Sequence, residues 1–242
     1  MISFIILVAA AVLPAVFLLL IVYRLDRIEK EPWSVLRKLL LWGAISCIPA
    51  ALVELLLQAA FNNLLEEGSL LHSLAQGFVV AALTEEFFKF VFLYKITFRK
   101  PSFNYRFDGV VYAVFMSMGF AILENILYVL QGGLGSAVSR ALLSLPLHAA
   151  CGIYMGISYG RQKVLSLYRP TSFLQAAAAC LPVPILIHGF YDFCAFAMTE
   201  DRLYFVLVFL AFVITVFIIT LKRLKKASRE DAPVQEVTIN AR

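Results

Sequence analysis

Charged and polar positions are scarce along this chain, and where they fall divides it into long apolar runs. The opening run, ISFIILVAAAVLPAVFLLLIVY, reaches Tyr23 without a charge. A membrane-spanning helix needs about 20 mostly apolar residues, and seven runs qualify, at roughly 2–23, 39–60, 74–98, 109–130, 141–160, 174–197 and 203–221. The connections are mostly short, which favours antiparallel neighbours in one bundle, and none has room for a soluble domain. No internal repeat stands out. The first run lacks a basic leader and exceeds the apolar region of a signal peptide, so a retained helix is expected there. The pattern predicts an all-α fold, a polytopic transmembrane bundle of about seven spans, as one domain over residues 1–221.

Composition strengthens this reading. Hydrophobic residues make up 62% of the 242 positions and charged residues 15%, with a mean hydropathy of +0.86. Soluble domains carry about 25% charged residues, so a soluble enzyme is excluded. The placement of Lys and Arg says more than the net charge of +5. Seventeen of them fall in segments 24–38, 99–108, 161–173 and 222–242, against Arg140 and Arg202 on the opposite side. By the positive-inside rule the N-terminus is expected outside and the C-terminus in the cytoplasm. Trp33 and Tyr168 fall in cytoplasmic loops, where rings anchor at the interface. The tail 222–242 is basic and polar and is expected to be disordered. Its KRLKK stretch suits anionic lipid headgroups, and nothing points to nucleic acid. Cys47, Cys151, Cys180 and Cys194 lie within apolar runs with no CxxC spacing, and are expected to be free, buried thiols.

The charges inside the runs carry the candidate chemistry. A charged side chain at mid-membrane costs about 2.5–3.5 kcal/mol on insertion scales, yet LTEEFFKF (83–90) places Glu85, Glu86 and Lys89 in one run. Their i,i+3 and i,i+4 spacing lets Lys89 neutralise one carboxylate on the same helix face, leaving the other over. Further runs carry Glu54, Glu124 with Asn125, His148, and His188 with Asp192 one turn later. Counted at 1.5 Å per residue from the outer ends, Asp192 lies about 8 Å deep, Glu54 and Glu124 about 9 Å, His148 about 11 Å, His188 about 14 Å and Glu85 about 17 Å. Helices running in alternating directions thus bring their polar groups to similar depths. One polar cavity open to the outside would serve them all. Any one histidine is more often a packing residue, but two with several carboxylates at one depth suit a bound divalent metal or an activated water. His188 and Asp192 have the spacing of an imidazole and its orienting carboxylate. A proton-coupled transporter and a non-catalytic scaffold or sensor are the competing readings. The lack of an inverted repeat and of a polar path across the bundle weighs against the transporter.

These motifs are familiar as a set. EEFFK (85–89), FAILEN (120–125) with its lead-in FDGVVYAVFMSMG, LPLHAACG around His148 and HGFYD (188–192) resemble the PrsW family of bacterial intramembrane proteases. That family is related to the type II CAAX prenyl endopeptidases. The resemblance covers about residues 75–197. It implies a multi-pass protein of the bacterial plasma membrane that makes the site-1 cut in a single-span anti-sigma factor, releasing a sigma factor under envelope stress. Lys89 departs from the arginine, one residue further on, of the prenyl endopeptidases, which argues against a prenylated substrate. Carried onto this chain, the resemblance gives Glu85, Glu86, Glu124, His148 and His188 as catalytic. Either Glu85 or Glu86 would be the general base. His148, His188 and Glu124 would hold a divalent metal such as zinc, or position the water. Lys89, Asn125 and Asp192 would support them, Asn125 as an oxyanion donor and Asp192 by orienting His188.

Overall fold

A computed structural model describes residues 2–235. Its helices are α1 (Ile2–Leu25), α2 (Trp33–Leu64), α3 (Leu70–Leu74), α4 (Thr84–Thr97), α5 (Asp108–Leu142), α6 (Ser144–Leu165), α7 (Phe173–Cys180), α8 (Pro182–Ala197) and α9 (Tyr204–Arg229). A π-helical segment, Ala75–Leu83, joins α3 to α4. Among the described residues there is no strand, only an isolated bridge between Tyr105 and Pro233. All seven predicted runs are helical. Among the described residues four stretches are long and apolar enough to cross a membrane: Phe4–Leu25, Trp33–Leu64, Asp108–Leu165 and Tyr204–Arg229. A fifth qualifies if α7 and α8, bent by 46°, count as one span. By this criterion four or five spans qualify against the expected seven, the stretch 108–165 counting once. The run 74–98 is divided among α3, the π segment and α4, with its charges in the middle. The stretch 108–165 holds two of the expected runs, α5 and α6.

Helix α5 is the axis of the bundle. Every residue from Asp108 to Ala121 is buried, as a helix must be when α1, α2 and α6 all pack on it. Helix α6 runs back along α5. A Cβ on Gly160 would meet Arg106, one on Gly156 would meet Val110, and one on Gly152 would meet Val114. Small residues at a membrane-helix seam let backbones approach closely where no hydrophobic drive exists between helices.

The turn from α5 to α6 does not lie at the end of a straight helix. Gly133 has φ 65° and ψ −155°, a conformation open to glycine and strained for other residues. Residues 134–142 then double back beside residues 124–129 of the same helix, which carries Arg140 inward to Glu124 and Asn125. The outward apolar side chains Leu134, Val138 and Leu142 are exposed, as suits a segment lying against lipid.

The tail expectation is corrected through Gln235. Helix α9 continues through the basic stretch to Arg229. The chain then pairs with the loop before α5: Arg106 N donates to Ala232 O (3.1 Å), and Val234 N to Asn104 O (2.7 Å). Asp231 Oδ1 accepts from Phe107 N at 2.8 Å. Backbone groups that would otherwise lack partners order the segment, a signal that composition does not carry. Residues 236–242 of the expected disordered tail lie outside the described residues. Beside this seam Asp26 and Glu31 are buried. Burial, reinforced by the nearby Asp231, pushes the Asp26 carboxyl up to about 6 against the pull of Lys30. Burial pushes Glu31 up to about 7, although Tyr112 donates its hydroxyl to it.

Candidate active site

The π segment delivers the glutamate pair. Its wider turn lets Thr84 Oγ1 donate to Val79 O, five residues back, at 3.3 Å. It also brings Gly77 onto α8, where a Cβ would stand 2.6 Å from Phe193 N and 2.8 Å from Gly189 O. π-Helical segments recur at functional sites because they re-aim the residues that follow. Here the residues that follow are Glu85, Glu86 and Lys89, and the close contact with α8 sets His188 against them.

Lys89 is fully buried at the centre of the group. Its ammonium lies 2.9 Å from Glu85 Oε2, 2.8 Å from Glu86 Oε1 and 3.1 Å from His148 Nδ1. The ring of Phe120 lies beside it, 4.2 Å from Nζ to the centroid. An ammonium only donates, so Nδ1 of His148 is the acceptor. The proton of that imidazole then sits on Nε2, which faces Glu124 Oε2 at 3.0 Å. His188 has a carboxylate at each nitrogen: Glu86 Oε1 at 3.0 Å from Nδ1 and Asp192 Oδ2 at 3.2 Å from Nε2. Asp192 and His188, one turn apart, are thus in contact. The two rings stand 5.2 Å apart, edge to face.

Part of this group borders a cavity of about 870 Å³. Its walls include Glu54, Glu85, Glu124, His148, His188 and Asp192, the set that similar depth groups together. Glu86 is fully buried behind that wall, and its Oε2 has no hydrogen-bond partner among the described residues. Glu85 reaches the cavity while still touching Lys89.

Two expected roles change. Asn125 is fully buried and does not face the cavity: its Nδ2 donates to Ala11 O (2.6 Å) and its Oδ1 accepts from Arg140 Nε (2.8 Å). It ties α1 to the returning segment and, buried away from the cavity, does not reach an oxyanion there. Glu124 does not join the tightest donor cluster. Its carboxylate forms an ion pair with Arg140 Nη2 at 2.7 Å, besides facing His148. Arg140, which the charge pattern marks only as an outer-side cation, belongs to the site. It stacks on Tyr128, 4.2 Å from the ring centroid, and lines the cavity. The glycines of QGGLGS (131–136) are the sequence signal that the helix ends before Arg140 and turns back.

The donor cluster among the described residues is Glu85, Glu86, His148 and His188, all buried, with one ligand atom from each within 4.8 Å of the others. Two imidazole nitrogens and two carboxylate oxygens fit a zinc-like ion in type and number, so a resident divalent metal is chemically compatible with this chain. Relative to the expected set of His148, His188 and Glu124, the glutamate pair takes the place of Glu124. The four cysteines are free and buried, as expected.

Comparison with known proteins agrees with this geometry. The family model described as PrsW family intramembrane metalloprotease matches residues 31–220. Protease PrsW of Geobacillus kaustophilus is 34% identical over 205 residues, covering 85% of this chain and 86% of the relative. That of Oceanobacillus iheyensis is 34% identical over 221 residues, 91% of this chain and 95% of the relative. Protease PrsW of Bacillus subtilis is 30% identical over 205 residues, 85% and 89%. No solved structure was found to match. The matched region runs from the start of α2 into α9 and contains every element that lines the cavity, and on that ground the chain belongs to the PrsW family of intramembrane proteases of the bacterial membrane.

Proposed function

We propose that this protease makes the site-1 cut in a single-span, membrane-anchored anti-sigma factor, with Glu85 as general base, and so releases a sigma factor in response to envelope stress. The observation that carries the catalytic part is the difference between the two glutamates. Glu85 borders a cavity large enough for water and an extended peptide, whereas Glu86 is sealed behind it. A base must reach the proton it abstracts, and Glu85 is the one with access. Glu86 holds Lys89 and His188 in place. A water against Glu85 would attack the scissile carbonyl from within the cavity. His188, oriented by Glu86 and Asp192, stands 4.0 Å from Glu85 and is the group next to that water for proton transfer to the leaving amine. Glu124 and Arg140 form a charged pair on the wall, where a developing negative charge would meet the guanidinium. A divalent metal on Glu85, Glu86, His148 and His188 would supply carbonyl polarisation and a more acidic water.

The anti-sigma substrate rests on the resemblance of the EEFFK, FAILEN, LPLHAACG and HGFYD motifs to the family. The test is co-expression with tagged single-span anti-sigma factors, comparing the wild type with Glu85→Gln. A shortened product with wild type alone is expected. Equal cleavage by the variant would overturn the assignment of Glu85, and no cleavage of any anti-sigma factor would overturn the substrate class.

A further inference from the structure

The donor cluster already holds a cation. The Lys89 ammonium contacts Glu85, Glu86 and His148 at 2.8–3.1 Å. Those are three of the four groups able to ligate a metal. An ammonium has three protons, and here it has three acceptors, so its donor capacity is used up by the ligand set itself. The one lone pair of His148 Nδ1 accepts from the ammonium and cannot serve a metal at the same time, and the oxygens Glu85 Oε2 and Glu86 Oε1 are likewise turned to Lys89.

Charge leads to the same place. With both imidazoles neutral, as metal ligands are, two carboxylates and one ammonium leave the cluster one negative charge in excess. A divalent ion added with Lys89 in place would put like charges within a few ångströms of each other in a buried site, where screening is weak. Lys89 has somewhere to go. Its four-carbon stem is flexible, and Phe120, whose ring the ammonium already faces, lines the cavity. A swing along that ring would free all three acceptors and keep the charge beside an aromatic face.

We propose that Lys89 is a tethered cation that holds the metal position, so that a divalent metal and the Lys89 ammonium exclude each other at Glu85, Glu86 and His148. The side chain of this helix then sets the affinity of the site for metal: it keeps the cluster assembled without an ion and must leave when one enters. The inference concerns metal binding at the proposed site rather than peptide cleavage, so its failure leaves the proteolytic reading standing.

The test uses the full chain purified in detergent and stripped with a chelator. Zinc affinity is measured by competition with a chromophoric chelator for the wild type, Lys89→Gln and Lys89→Arg. The expected result is at least about tenfold tighter zinc binding for Lys89→Gln, with no such gain for Lys89→Arg, which keeps a cation there. Affinity unchanged or weakened in Lys89→Gln overturns the proposal, as does zinc binding by neither protein. A Lys89→Gln chain that folds only when zinc is supplied supports it, because the ion then replaces the missing ammonium. A second readout needs no variant. Zinc should raise acylation of Lys89 in the wild type by an amine-directed ester, mapped by mass spectrometry, several-fold. Bound zinc with Lys89 as unreactive as before overturns the exclusion.

Discussion

Glu85 and Glu86 are adjacent in sequence but meet different surroundings. Glu85 faces the cavity and shares Lys89, so replacing it by Gln should remove the base with little effect on the fold. Activity is expected to fall by about 10²–10⁴-fold with the thermal midpoint nearly unchanged, as read by cleavage rate and by thermal unfolding in detergent. Glu86 Oε1 is shared by Lys89 and His188. Glu86→Gln leaves a buried ammonium short of charge and should cost about 3–5 kcal/mol of stability as well as activity, so the two glutamates separate by thermal unfolding. Arg140→Ala removes an ion pair to Glu124, a hydrogen bond to Asn125 and a ring stack. A loss of about 1–3 kcal/mol is expected. Arg140→Lys should recover less than half of it, because a point charge cannot contact Glu124 and Asn125 together.

The elements that place these residues differ in how openly the sequence announces them. Apolar runs expose the helices, and polar residues at similar depth expose the cavity. The EEFFK spacing by itself puts Lys89 on the glutamate face. What stays hidden depends on backbone geometry that hydropathy does not register. The π segment 75–83 has the same residue types as an α-helix, and the return of 134–142 at Gly133 depends on one dihedral angle. That return moves Arg140 from an outer loop to the site and turns Asn125 from an oxyanion donor into a tie to Ala11. The close approach of Gly77 to α8 gives this scale its own test. In Gly77→Ala the new methyl would sit 2.6 Å from Phe193 N, a backbone atom that cannot rotate away. Helix α8 must shift and carry His188 with it. Cleavage should drop at least about tenfold, with about 1–3 kcal/mol lost from overpacking. Gly135→Ala, where a Cβ meets nothing within 4 Å, should be near neutral in both assays.

Across the whole molecule, two buried polar centres lie at opposite ends of the bundle, with different consequences for pH. At the end that carries α1's C-terminus, Asp26 and Glu31 have carboxyls raised to about 6 and about 7, above their ordinary values of 3.8 and 4.5. The folded state therefore binds more protons than the unfolded chain between about pH 4 and 7, and stability falls as pH rises through that window. Asp26→Asn and Glu31→Gln should flatten this dependence and each add roughly 1–2 kcal/mol at pH 8, read from thermal unfolding at pH 5 and pH 8. At the other end, the cavity at the convergence of α2, α4, α5, α6 and α8 holds the charges to which we assign proteolysis. The most direct test of that reading is cleavage in proteoliposomes that contain only the purified chain and a single-span anti-sigma substrate, with the products located by mass spectrometry. A cut within or beside the substrate's membrane segment, present with the wild type and absent with Glu85→Gln of equal thermal stability, is the predicted result. An unchanged rate in Glu85→Gln would contradict it.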